Sequence, residues 1–173
     1  NFWQKPVKHG IYRENYVSKL NDLLKSKQII TITGPRRAGK SYLMRQLGQT
    51  LIDKGVSKNN LLYVNFEDPR FTNLDTDLMQ QIFETYLQRL LPEGKIYLFL
   101  DEVQEVENWE KWVLMVHELE KAQVIISGSN ARLLSRELGT LLTGRHLDIT
   151  VTPLSFKEFL LFKDIEISSN LEI

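Results

Sequence analysis

Cysteine is absent from these 173 residues. A disulfide framework and a thiolate metal site are therefore excluded, and the composition suits a reducing cytoplasm. Charge of one sign is not in excess: 22 basic residues balance 22 acidic ones. No global attraction to nucleic acid or to an anionic membrane follows, although a local patch is not excluded. No apolar run approaches the roughly 20 residues that a membrane span requires, so no membrane partner is expected. Histidine is scarce. His9, His117 and His146 show no metal-ligand spacing, and two of them are expected at the surface. The chain opens on Asn1 with no signal-peptide pattern, which reads as a fragment of a longer protein.

What is present is enough chain for one domain, with 42% hydrophobic residues to build a core. Element types alternate along it. Tyr16, Val17, Leu20, Leu23 and Leu24 fall at helical spacing. Residues 29–33 read as a strand. Leu43, Met44, Leu47 and Leu51 mark one face of the helix that follows, and residues 61–66 form the next strand. Leu74, Leu78, Ile82, Phe83, Tyr86, Leu87 and Leu90 make a long helical stripe closed by Pro92 and Gly94. Residues 96–100 are a continuous apolar strand. Asn108 is the expected N-cap of a helix carrying Trp109, Trp112, Val113, Val116 and Leu119. The two tryptophans are expected in packing rather than as a base-stacking platform. Residues 124–126 give a short strand, and a short helix is expected over 131–138. In "HLDITV", Leu147, Ile149 and Val151 alternate with polar residues, as suits an edge strand with one open face. A further helix starts at Ser155. Strand and helix in alternation predict an α/β fold with a parallel sheet and right-handed crossovers.

One stretch carries chemistry. "GPRRAGKS" satisfies G-x-x-x-x-G-K-[ST] through Gly34, Gly39, Lys40 and Ser41, with a strand before it and an amphipathic helix starting inside it. Glycines let the backbone N–H groups cradle phosphate oxygens, lysine reaches the β- and γ-phosphates, and the hydroxyl ligates Mg²⁺. The candidate nucleotide-binding segment is Gly34, Pro35, Arg36, Arg37, Ala38, Gly39, Lys40, Ser41 and Tyr42, with Lys40 expected as an exposed phosphate ligand. Such a site needs an acidic residue at the end of a second buried strand. "IYLFLDEVQ" supplies Asp101 for Mg²⁺, with Ser41, and Glu102 as general base for the attacking water.

With these motifs the chain resembles the ATPase domain of AAA+ and related P-loop NTPases that carry an extra strand between the P-loop strand and the acidic strand. More narrowly, it is similar to an uncharacterised archaeal and bacterial ATPase family with a Gly-Pro-Arg-Arg P-loop. The shared motifs are "GPRRAGKS", "DEVQ", "SGSN", "TGR" and "PLSFKEF", within roughly residues 11–159. The resemblance implies a three-layer P-loop sandwich with strand order 5-1-4-3-2. It implies a sensor role for Ser129 or Asn130, with Asn130 preferred. It implies that Arg145 neutralises transition-state charge, in cis or from a neighbouring subunit. It also raises Asn65 as a tether for Glu102, while Glu67 and Asp68 read as a solvated loop. The implied organisation is a lead-in and helix over 1–27, an ATPase core over 28–161, and over 162–173 the start of a linker to a C-terminal domain.

The expected function is Mg²⁺-dependent ATP binding and slow hydrolysis, with the ATP or ADP state passed to that C-terminal domain. The alternatives are a nucleotide-dependent switch that hardly turns over, or a DNA-associated ATPase module. A DNA or protein partner and a homo-oligomer are compatible with either. No Asn-Lys-x-Asp guanine-reading motif is present.

Overall fold

Strands that are apolar on both faces have no side to give to water, so a sheet made of them must be covered twice. The computed structural model describes residues 1–4, 7–129, 142, 144–163 and 165. It contains one such sheet, built from β1 (Ile29–Thr33), β2 (Leu61–Asn65), β3 (Tyr97–Asp101), β4 (Gln123–Gly128) and β5 (His146–Thr150). All pairings are parallel, in the order β2-β3-β4-β1-β5, which is the expected arrangement read from the other edge.

Alternate strand residues feed two cores. Leu62, Val64, Leu98, Leu100, Val124 and Ile126 pack against α3 (Thr76–Leu90) and α4 (Trp109–Glu118). Ile30, Ile32, Leu61, Phe99, Ile125 and Ile149 pack against α1 (Glu14–Leu23) and α2 (Lys40–Asp53). Trp109 and Trp112 are buried in the first core, where Trp112 Nε1 donates to Gln80 at 2.8 Å. Phe2 belongs to the second. Its ring lies on Gly48 of α2, where a Cβ would come within 2.2 Å of it. The edge strand keeps Ile149 buried while Asp148 and Thr150 are exposed.

The helix starts follow local chemistry, with one difference from expectation. Asp75 caps α3 by accepting from the Leu78 amide at 2.8 Å, and Ser155 opens α5 (Phe156–Phe162) with a capping box closed by Glu158. Asn108 precedes α4 but makes no side-chain cap bond. It sits in the left-handed region at φ 54°, a conformation asparagine tolerates better than most residues, so it serves the turn rather than the cap. The helix expected over 131–138 lies outside the described residues, as do most of residues 162–173.

The parallel sheet brings the segments after β1, β3, β4 and β5 to one edge. There Gly34 leaves β1 at φ 145°, and a Cβ on it would meet the Val151 carbonyl oxygen at 2.2 Å. Both the dihedral and the contact with backbone require glycine. Gly34→Ala is expected to destabilise the chain by more than about 2 kcal/mol. Urea unfolding monitored by circular dichroism checks this, and an unchanged midpoint would contradict it.

Candidate active site

The loop after β1 is shaped by backbone that turns through the left-handed region at Arg37 (φ 65°) and Gly39 (φ 95°) before α2 begins at Lys40. Pro35, Arg36 and Arg37 are exposed, whereas Ala38 is buried. Ser41 and Tyr42 stand in the first turn of the 14-residue helix α2, where free N–H groups and the helix dipole favour an anion. Tyr42 is exposed on one side, and its ring packs on Gly10 of the N-terminal segment.

Lys40 is not the exposed ligand expected from the motif. Only 4% of its surface is accessible. Its Nζ donates to the carbonyls of Gly34 at 3.1 Å and Pro35 at 3.4 Å, and lies 3.3 Å from Glu102 Oε1. The physical reason is that an ammonium drawn into the loop must find acceptors there, and the loop's own carbonyls and the nearby carboxylate supply them.

The acidic pair occupies the end of β3. Asp101 is fully buried. One of its oxygens accepts from the Tyr63 hydroxyl on β2 and the other from the Ser127 hydroxyl on β4. Burial, reinforced by the Asp101 charge, pushes the Tyr63 hydroxyl well above its ordinary pKa, so it stays a donor. Glu102 follows at φ 53°, and its amide donates to Ser127 Oγ at 3.1 Å. Its carboxylate accepts from Gln104 Nε2 at 2.7 Å. Asn65 Oδ1 accepts from the Glu67 amide at 3.0 Å and closes its own turn, while the Glu102 carboxylate is held by Gln104 and Lys40.

Among the described residues no group of three or more His, Cys, Asp or Glu converges, so there is no all-protein cage. One hydroxyl and one carboxylate, Ser41 and Asp101, suit a cation that keeps several waters and shares substrate phosphates. A carboxylate whose oxygens each accept one hydrogen bond still has lone pairs for metal-bound water.

Around this centre, Arg36 reaches across to Glu67 at 2.7 Å, and Asp68 pairs with Arg70, which holds its carboxyl down at about 2. The expected solvated loop is thus an exposed but ion-paired one. Arg36, Gln104, Glu105 and Ser129 line an open cleft of about 330 Å³. Asn130 lies outside the described residues. All three histidines are half-buried rather than two being at the surface.

Arg145 lies elsewhere. Its carbonyl accepts from the Ile29 amide, which places it before β1 and β5 rather than after them. A five-residue strand at about 3.3 Å per residue separates it from the glycine loop by roughly 16 Å. It pairs with Glu118 at 3.4 Å and lines a cleft of about 440 Å³ together with Lys27, Lys95, His117 and Lys121. A role in cis at the site does not fit this position.

Arg13, unnoticed in the sequence, binds the site together. It is 7% exposed. Its guanidinium donates to the Ala38 carbonyl in the loop and the Thr152 carbonyl after β5, both at 3.1 Å. It also grips Glu158 of α5 bidentately, at 2.7 and 3.1 Å, and lies over the Tyr16 ring. The useful signal was the Ser155-x-x-Glu158 pattern of "PLSFKEF". Tyr63, Ser127 and Gln104 were likewise given no role by sequence reasoning.

A family model described as an AAA domain matches residues 26–160. This chain belongs to the AAA domain family. It is 40% identical over 163 residues to an uncharacterised protein of Haemophilus influenzae, covering 93% of this chain and 40% of that one. The chain therefore spans less than half the length of this curated relative. Its fold is similar to that of the Walker-type ATPase PABY2304 of Pyrococcus abyssi, with a TM-score of 0.57 and 16% identity over 98% of this chain and 65% of that one. It is also similar to AMPPCP-bound DnaA from Aquifex aeolicus, with a TM-score of 0.54 and 16% identity over 99% of this chain and 57% of that one. These likenesses support an AAA-type P-loop ATPase fold for this domain.

The Arg13 contact generates a pH prediction. The hydrogen bond from Arg13 holds the Glu158 carboxyl below its ordinary range. A group with a depressed native pKa stabilises the fold above its unfolded pKa, about 4.3 for glutamate, and loses that contribution as pH falls through the native value. Glu158→Gln is therefore expected to be less stable than the parent at pH 7, with the gap closing as pH drops below about 4. Urea midpoints measured across that range check this. A gap that is constant with pH would contradict it.

Proposed function

We propose that this chain is an Mg²⁺-dependent ATP-binding and ATP-hydrolysing domain of the Gly-Pro-Arg-Arg P-loop type, which passes its nucleotide state to the remainder of a longer polypeptide. The reading rests on one observation: the Lys40 ammonium and the Glu102 carboxylate lie 3.3 Å apart at the mouth of the glycine-bounded loop, with Asp101 beside them. Triphosphate would replace Glu102 as the counter-ion of Lys40. The released carboxylate would then be available as general base for water attacking the γ-phosphate. Ser41 and Asp101 would hold Mg²⁺, which neutralises charge on the bridging and terminal phosphate oxygens. Loop amides after Gly34 and the start of α2 would orient the β-phosphate. Coupling to the rest of a longer chain is supported by the open apolar side of α5, where Phe156, Phe159, Leu161 and Phe162 remain exposed. It is further supported by the greater length of the relative.

Lys40→Ala is expected to weaken Mg²⁺-ATP binding by about 100-fold, because it removes a charge-assisted contact to phosphate. Glu102→Gln should keep affinity but lower the hydrolysis rate by at least about 10²-fold, since an amide takes no proton. Calorimetry with a non-hydrolysable analogue and a phosphate-release assay separate the two effects. Unchanged affinity in the first variant would remove the nucleotide assignment, and unchanged turnover in the second would assign the base elsewhere.

Arg145 can serve this chemistry only from a neighbouring subunit. Specific activity should then rise with protein concentration, and Arg145→Ala should lower kcat by about 10³-fold while sparing ATP affinity. Mixing Arg145→Ala with Lys40→Ala should restore some activity, because each copy supplies what the other lacks. Flat specific activity and no complementation would return Arg145 to its surface pair with Glu118.

A further inference from the structure

The glutamine of "DEVQ" has a geometry that the proposed hydrolysis leaves unused. Gln104 lies in the single turn Val103–Glu105 that follows β3 and Glu102. Its Nε2 donates to Glu102 Oε2 at 2.7 Å and lies 3.4 Å from Glu105 Oε1. Ionised carboxylates only accept hydrogen bonds, so these two neighbours fix the amide with its nitrogen toward them and its oxygen away. That oxygen is buried and accepts no hydrogen bond from the described residues. Buried carbonyl oxygens are seldom left without a donor, so this one calls for a water or a ligand as its partner. Gln104 also lines the cleft shared by Arg36 of the glycine loop and Ser129 after β4. One amide group thus presents its donor to the proposed base and keeps an unspent acceptor beside it.

The geometry points to Gln104 as a positioning residue for the hydrolytic water: Nε2 holds the Glu102 carboxylate in place, and Oε1 accepts a hydrogen bond from the water that Glu102 deprotonates. In this step the water oxygen bonds to the γ-phosphorus as the bond to the bridging β–γ oxygen breaks. One proton passes to Glu102 and the other stays on the product phosphate. Gln104 exchanges no proton. Because a single planar amide makes both contacts, the direction of the water is tied to the direction of the base. The inference rests on the ATPase reading above and adds to it the residue that aims the nucleophile.

The test uses Gln104→Met, which keeps length and packing volume but removes donor and acceptor. It should lower kcat by about 10- to 100-fold while KM and the affinity for AMPPCP stay within about twofold. Adding Gln104→Met to Glu102→Gln should cost little more than Glu102→Gln alone, since both act on one water. A structural role would instead give additive losses. A readout without turnover is the Gln104 side-chain amide in NMR spectra of the nucleotide-free protein. Its proton resonances should shift in Glu102→Gln. If Gln104→Met does not fold, Gln104→Asn withdraws the same groups by one methylene and should show the same split between kcat and affinity. Wild-type kcat in the substituted protein, a matching loss of AMPPCP affinity, additivity in the double variant, or an amide indifferent to Glu102→Gln would each overturn the assignment. Absence of turnover in the unsubstituted chain would instead overturn the ATPase reading and this inference together.

Discussion

A carboxylate removed from water must be met by donors, and Asp101 meets that constraint by tying three strands together. Tyr63 on β2 and Ser127 on β4 donate to it from either side of β3. Neither hydroxyl can be spared without leaving an oxygen of a buried charge unsatisfied. Ser127 also receives the Glu102 amide, so the same contact fixes where the next carboxylate departs from the strand. The acidic end of β3 is therefore not a pair of side chains on a loop. It is a feature of the sheet, and its geometry is as rigid as the strand register.

The glycine loop is held to the same edge by different means. Gly34 passes beneath the Val151 carbonyl, and Ala38 is anchored through Arg13 to Thr152 and Glu158. Between the two anchors, Lys40 turns inward to its own loop carbonyls and to Glu102. Lys40 and Glu102 are thereby paired within the folded unit, one buried ammonium against one buried carboxylate. On the proposed reading, an incoming triphosphate would exchange with Glu102 rather than meet a bare charge, and the carboxylate would be freed only as the phosphates neutralise Lys40.

How much of this was legible depended on whether a contact lies along the chain or across it. The strands could be read because burial on both faces leaves continuous apolar runs, and their order was implied by the family resemblance. The glycine loop and the acidic pair could be read because their residues are contiguous. Tyr63 and Ser127 could not, since each looks like an ordinary strand residue and meets Asp101 from 38 and 26 positions away. Arg13 and Glu158 are 145 positions apart. The family resemblance raises Asn65 as a tether, but its short polar side chain has a nearer partner in its own turn. For Arg145 the sequence leaves a cis and a trans role equally open, and the topology disfavours the cis one. In a parallel sheet the residue just before a strand and the residue just after one lie at opposite ends, so a motif's place in the sequence order does not give its place in the site.

Arg13 also constrains how this chain can vary. One planar guanidinium serves the loop, the segment after β5 and the first turn of α5, and its donors are committed to two carbonyls and two carboxylate oxygens. Lysine cannot reproduce that fork, and alanine would strand a carboxylate and two carbonyls at once. Positions 13 and 158 can therefore drift only as a pair, and only in ways that keep the two carbonyls supplied. Among diverged copies of this domain, the opening segment before α1 and the "PLSFKEF" close should change together or not at all, although nearly the whole length of the domain lies between them.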